Sequence, residues 1–223
     1  MKPGITLKSM EESGLKYKVG EMNEIVLRGI IRNIKHSHEI NGVEYLQAEV
    51  ITQRKDKKED SVIIKFKNYI NKYKELDKIE LVGNIRSHTE SLSSGKNKVS
   101  VYVFTYQDYP DPNKFNDEIN NEFVIDGRIC KINELRTTQN GKKNLHFILA
   151  NNIFTNNGQK INNYLPVTCW GSLAQQVSKM SVNDKVIIKG EMHSRVYHTL
   201  NSLGEKEYDV AHELLMTHIE NIE

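Results

Sequence analysis

The chain repeats itself. Asn23-Glu-Ile-Val-Leu-Arg-Gly-Ile-Ile answers Asn121-Glu-Phe-Val-Ile-Asp-Gly-Arg-Ile, and Asp77-Lys-Ile-Glu-Leu-Val-Gly-Asn-Ile-Arg-Ser answers Asp184-Lys-Val-Ile-Ile-Lys-Gly-Glu-Met-His-Ser. An internal repeat with its glycines in register marks a duplicated structural unit. Those glycines recur where a strand closing a small barrel must bend sharply.

Within the first copy, Ile25, Leu27, Gly29 and Ile31 alternate as a strand, and a turn at Asn41-Gly42 leads to a second, Tyr45 to Thr52. The Lys-rich tip Gln53–Asp60 precedes a third strand, Ser61–Lys67, with Val62, Ile64 and Phe66 inward and Lys65 and Lys67 outward. Helical spacing in Tyr69, Ile70, Tyr73 and Leu76 is followed by strands at Asp77–His88 and Val99–Tyr106. Strand, strand, strand, helix, strand, strand is the order of an OB-fold. The prolines of Tyr109-Pro-Asp-Pro-Asn cannot sit inside a central strand and mark a linker. The expected architecture is all-β with a short helix per unit, two tandem OB-fold barrels. The boundaries are an N-terminal arm (1–21), OB-fold 1 (22–108), a linker (109–118) and OB-fold 2 (119–223).

The stretch Asn163 to Ala174 gives the second copy its character. As a strand it turns Leu165, Val167 and Cys169 to one side and Tyr164, Pro166, Thr168 and Trp170 to the other. Two large aromatics on the face that burial does not need suit a platform on which bases stack, although one such ring could simply pack under a loop. A helix from Ser172 to Lys179 follows, with Ser172 as its N-cap and Leu173, Ala174 and Val177 as its apolar stripe. In the next strand Val186, Ile188, Gly190 and Met192 face inward, and His193, Arg195 and Tyr197 outward; Tyr208 to Ile219 is the last strand. Strand parity sets Phe66 opposite Cys169, and therefore Ser61 opposite Tyr164 and Lys67 opposite Trp170; Glu90 answers Tyr197. The first copy thus offers charge where the second offers rings.

Charge divides the same way. Residues 1–108 hold 19 basic against 15 acidic side chains, and residues 109–223 hold 12 against 14. Arg54, Lys55, Lys57, Lys58, Lys65 and Lys67 are candidates for a positive track along a phosphate backbone, with a solubilising surface as the alternative. Arg128 and Lys131 suit solvent as well as they suit contact. Cys130 and Cys169 have neither metal-ligand nor disulfide spacing and are read as free thiols. His36, His38 and Glu39 lack a further ligand at ordered spacing, so no metal and no cofactor are expected. A Gly-rich phosphate loop, an activated nucleophile motif and an apolar run of membrane length are all missing, which argues against an enzyme and for a cytoplasmic protein.

Five blocks carry a family resemblance: the stretch around Trp170, Asn121-Glu-Phe-Val-Ile-Asp-Gly-Arg-Ile, Glu134-Leu-Arg-Thr-Thr-Gln-Asn-Gly, Leu145-His-Phe-Ile-Leu-Ala and Gly190-Glu-Met-His-Ser-Arg-Val-Tyr. Taken in chain order they resemble bacterial and phage single-stranded DNA-binding proteins, over about half of the chain. The resemblance implies base-stacking at Tyr164, Trp170 and Tyr197, with Phe154 as a looser match, and a basic position at Arg136. Arg195, on the face of Tyr197 with His193, suits a phosphate or a guanidinium stack. The implied function is sequence-independent binding of single-stranded DNA in replication, recombination or transfer. The alternative is an accessory subunit of a primosome or transfer complex whose barrels mainly bind protein. Tandem members of the family gather four OB-folds as a homodimer. Here each fold begins with Asn-Glu and an outward Val26 or Val124 on a strand able to pair edge to edge. Replicative members carry an acidic docking tail with an aromatic tip, and the ending His-Ile-Glu-Asn-Ile-Glu does not resemble it. That departure points toward a phage or mobile element.

Overall fold

Apolar and polar side chains alternate along the chain, and the structure, a computed structural model, keeps that period. It describes residues 22–54, 56–68, 73–91, 97–109, 121–154, 158–200 and 204–222. The arm, Lys55, residues 69–72 of the stretch with helical spacing, and Pro110 and Pro112 lie outside these residues. The first unit holds β1 (Asn23–Ile40), β2 (Val43–Gln53), β3 (Glu59–Lys67), β4 (Lys78–Ser91) and β5 (Asn97–Tyr109). Tyr109, expected in the linker, is thus the last residue of a strand. The second unit holds β6 (Asn121–Ile132), β7 (Arg136–Thr137), β8 (Lys143–Phe154), β9 (Lys160–Trp170), the helix α1 (Gly171–Val177), β10 (Lys185–Leu200) and β11 (Lys206–Asn221).

Five strands close on themselves in each unit. The first runs β1-β2-β3-β5-β4 and back to β1; the second runs β6-β8-β9-β11-β10 and back to β6, with β7 on the edge of β8. The last strand of each lies parallel to the third, and the other pairs are antiparallel. This is the OB-fold, twice. Inward side chains fill both barrels, Phe66 among the largest in one and Phe123 and Phe147 in the other, all buried. Cys169 lies in the second core, where burial pushes its thiol pKa up to about 12.

The repeated glycines answer one steric demand. A Cβ on Gly29 would stand 2.2 Å from the Ile51 carbonyl oxygen, and one on Gly127 2.4 Å from that of Ala150. On Gly83 it would stand 2.6 Å from the Phe104 carbonyl oxygen, and on Gly190 2.0 Å from that of Leu215. The obstacle in each case is the backbone of a neighbouring strand, which cannot swing aside.

Two local expectations are corrected. Ser172 does not cap the helix: Trp170 is the last extended residue, and the helix starts at Gly171, with no side-chain cap bond. Gly171 has φ +62°, a conformation that a side chain disfavours, and it turns the chain one residue before the serine. Leu76, placed on an apolar stripe, is exposed and also left-handed, at φ +70°. Tyr73 does pack inward, edge-on to Phe66 at 5.8 Å.

The barrels are joined by strand pairing. β1 runs antiparallel to β6, with Asn23 facing Ile125, Ile25 facing Phe123 and Leu27 facing Asn121. Ile25 and Phe123 are equivalent positions, so an approximate two-fold axis passes between them. The Asn-Glu strands that the sequence offered to a partner copy are therefore consumed inside one chain. A tethered equivalent strand satisfies the open edge first, because it never diffuses away. Asn23 and Asn121 do matching work beside this junction. Each side-chain amide donates to and accepts from one backbone unit, Ile85 for Asn23 and Met192 for Asn121, at 2.6–3.0 Å.

A second pair of matched bonds crosses between the barrels. The Ser194 backbone N–H donates to Asp60 Oδ1 at 2.6 Å, and the Ser61 N–H donates to Ser194 Oγ at 2.9 Å. On the other side of the axis the Ser87 N–H donates to Asn163 Oδ1 at 3.1 Å, and the Tyr164 N–H to Ser87 Oγ at 2.9 Å. The two clips differ in charge. Buried Asp60 also holds Arg54 through two bonds of 2.5 Å, whereas the Asn163 amide nitrogen has no hydrogen-bond partner. Among the described residues, no helix is long and apolar enough to cross a membrane.

Candidate nucleic-acid interface

Equivalent positions can be read from the strand ladders. Ile31, Val50 and Val62 form one row across β1, β2 and β3. Ile129, Leu149 and Leu165 form the same row across β6, β8 and β9. Counting from these rows, Ser61 corresponds to Tyr164 and Lys67 to Trp170. Gly83 and Gly190 anchor the fourth strands in the same way, each just after a ladder irregularity, so Glu90 corresponds to Tyr197.

On β9 the two rings stand clear of the core, Tyr164 at 51% exposure and Trp170 at 43%. Strand geometry explains this, since Leu165, Val167 and Cys169 take the inward face and leave alternate positions outward. Thr168 is the exception on that face. It is buried under His146 and Glu213, donating its hydroxyl proton to Glu213 Oε2 at 2.9 Å. Its oxygen then accepts from His146 Nδ1 at 2.8 Å, which fixes the imidazole tautomer. His146 and Glu213 were not singled out in the sequence, because only the folded ladder brings them to Thr168. Arg136 lies in one row with Asn144 and Trp170, so an exposed guanidinium and the indole share one edge of the sheet. The Tyr164 backbone is held by Ser87 of the first barrel, which sets this ring at the junction between the two units.

The remaining candidates occupy two other places. Phe154 is exposed at the end of β8. His193, Arg195 and Tyr197 lie on β10, where Arg195 is exposed and His193 Nε2 sits 3.1 Å from Glu191 Oε2. The Tyr197 hydroxyl donates to Asp209 at 3.0 Å, and Asp209 also pairs with Lys98 of the first barrel. Burial, and then the bond to that carboxylate, push the Tyr197 phenol pKa up.

The basic residues of the first barrel do not form one free track. Arg54 is engaged by Asp60 and reaches the Ser194 carbonyl at 3.4 Å, so its charge serves the barrel junction. Lys65 lies outward on β3, but its ammonium sits 4.5 Å from the centre of the Tyr102 ring, and burial lowers its pKa. Lys67 is outward beside it.

Sequence reasoning also missed rings on this face. Tyr45 stacks on His38 with centroids 4.7 Å apart and planes within 4°. Phe104 lies 6.1 Å from Tyr45 and carries the Arg86 guanidinium 3.8 Å above its centre. These residues come from β1, β2, β4 and β5, and each looks unremarkable in its own strand. Among the described residues no group of three or more His, Cys, Asp or Glu side chains is placed to hold a metal ion.

Residues 120–220 match the model of the single-strand binding protein family. A curated relative, single-stranded DNA-binding protein 1 of Clostridium acetobutylicum, is 27% identical over 92 residues, which is 40% of this chain and 82% of that protein. The crystal structure of the wild-type single-stranded DNA binding protein from Thermus aquaticus superposes with a TM-score of 0.64, covering 91% of this chain and 93% of that one at 14% identity. A deletion mutant of the Thermus protein gives the same TM-score, covering 90% and 94%. At that identity the likeness is one of fold, and it spans both barrels.

Proposed function

We propose, from the match of residues 120–220 to the single-strand binding protein family, that this chain binds single-stranded DNA without regard to base sequence. The observation that carries the reading is the exposure of Tyr164 and Trp170 on the non-core face of β9. Every base offers a π-face, so rings held in this way bind a strand whatever its sequence, at about 1–3 kcal/mol per base. Phe154, Tyr197, Arg195, His193 and Arg136 extend the surface around them. Lys65 and Lys67 on the first barrel supply attraction for the backbone; Arg54 contributes through the junction it holds. The protein acts by binding, with no chemical step, and covers or organises strands exposed in the cytoplasm during replication, recombination or transfer.

A titration with oligo-dT tests this. Trp170 is the only tryptophan in the chain, so its fluorescence should be quenched as a base stacks on it. Trp170→Ala should weaken binding about tenfold at every salt concentration and leave the salt dependence unchanged. Lys65→Ala with Lys67→Ala should instead flatten the salt slope, by about 0.7 for each phosphate that is no longer neutralised. Absence of quenching, or normal binding by Trp170→Ala, would overturn the reading.

The chain assembles as a homodimer of four barrels in the same proposal. Because β1 and β6 already pair with each other, a second copy docks through a face of the sheet and not through those edges. Light scattering at low micromolar concentration should give a mass near twice 25.8 kDa; the monomer mass would refute the dimer.

A further inference from the structure

The first barrel has a ring where the second has an amide. Trp170 on β9 faces Asn144 on β8, and at the equivalent ladder step Lys67 on β3 faces Tyr45 on β2. The aromatic and its polar partner have exchanged strands across the same cross-strand pair, which keeps the ring on the same face within one strand spacing. We infer that the first barrel is a second base-stacking subsite, built on Tyr45 and Phe104 with Arg86 and Lys67 placed for the phosphates.

Three features support it, and it rests on the proposed binding of single-stranded DNA. First, the rings are preorganised. Tyr45 is held parallel to His38, whose Nδ1 lies 2.9 Å from Ser37 Oγ, and Phe104 approaches from β5. His38 has its pKa lowered, by burial first and then by the charges of Lys65 and His36, so at neutral pH it stacks as an uncharged ring. Second, Arg86 is stacked on Phe104 and bonds the Tyr102 side chain, while its Nε is buried without a hydrogen-bond partner. A guanidinium in that state gains more from a phosphate oxygen than a fully hydrated one does. Third, cations alternate with rings across β2, β3, β5 and β4, since Lys65 lies over Tyr102 between Tyr45 and Arg86. Nothing in the folding of a barrel calls for rings and cations interleaved on its outer face, whereas a strand with bases on one side and phosphates on the other does.

The experiment compares two oligonucleotides on the full chain, one of about eight nucleotides, which a single fold can cover, and one of about thirty, which spans two. Tyr45→Ala with Phe104→Ala should leave Trp170 quenching by the short strand unchanged and weaken binding of the long strand about tenfold. Tyr45→Leu with Phe104→Leu keeps apolar volume and should give the same result, so a folding defect of the alanine pair does not decide the matter. Tyr45→Phe should bind the long strand as the wild type does. Equal affinity of wild type and leucine pair for the long strand would overturn the inference, as would equal losses on both strands, which would mean the rings act through the second barrel. If the wild type itself shows no quenching with either strand, the proposed function fails instead.

Discussion

Gly190→Ala should destabilise the protein by about 3 kcal/mol, the upper part of the range for forcing an extra methyl into a packed site. The added Cβ would lie 2.0 Å from the Leu215 carbonyl oxygen and 2.8 Å from Cζ of Phe123. Neither neighbour can retreat easily, because Leu215 is fixed by the β10–β11 ladder and Phe123 is buried next to the axis joining the barrels. Gly83→Ala should cost less, since its nearest carbonyl oxygen is 2.6 Å away. Urea unfolding of both variants checks the order. A Gly190→Ala midpoint equal to wild type would show that the repeated glycines answer some demand other than close approach.

The second large effect is expected at Asp60. Its carboxylate is buried, bonds Arg54 twice at 2.5 Å and accepts from the Ser194 N–H at 2.6 Å. Asp60→Ala leaves the guanidinium without its partner and opens one of the two clips between the barrels. Breaking a buried pair from one side costs about 3–5 kcal/mol; the Arg54 side chain is 24% exposed, which places the cost near the lower bound. Asp60→Asn should fall between wild type and alanine, because the amide oxygen still accepts from Ser194, as Asn163 does from Ser87 at the matching position.

The same residue sets a pH dependence. Burial works to raise the Asp60 pKa, but the hydrogen bond from Arg54 and the one from the Ser194 backbone outweigh it and hold the value below the ordinary carboxylate range. A depressed folded-state pKa stabilises the protein above the unfolded value, and that stability is lost as pH falls through the lowered one. Asp209, lowered first by its bond to Lys98, contributes with the same sign. The unfolding midpoint should therefore drop below about pH 4, and Asp60→Asn should flatten that drop. An identical acid limb in the variant would remove Asp60 as its source.

Much of this architecture was legible in the letters. Period-two patterning located both barrels, and parity on the third strand matched Lys67 to Trp170 before any ladder was known. Legibility ends where strands meet. An open strand edge does not say which chain will fill it, so the β1–β6 pair could be read as belonging to a second copy. Tyr45 and Phe104 escaped because they meet only once β2 and β5 are brought to one face of the barrel. Arg54 was misjudged although a signal was present. Asp60 has the inward parity of Val62, Ile64 and Phe66, and a carboxylate pointing inward needs a cation nearby. The helix start was missed for a backbone reason: Gly171 supplies a left-handed turn that no capping pattern anticipates.

Lys98 and Asp209 occupy equivalent places in the two halves, since Glu90 faces one and Tyr197 the other, and they bond to each other across the approximate axis. An identical pair of either half would set lysine against lysine or aspartate against aspartate at that point. At that contact each half matches its sibling better than its own likeness. Duplication followed by such divergence leaves a mark that a like-with-like pair of either half would lack: opposite charges facing across the axis.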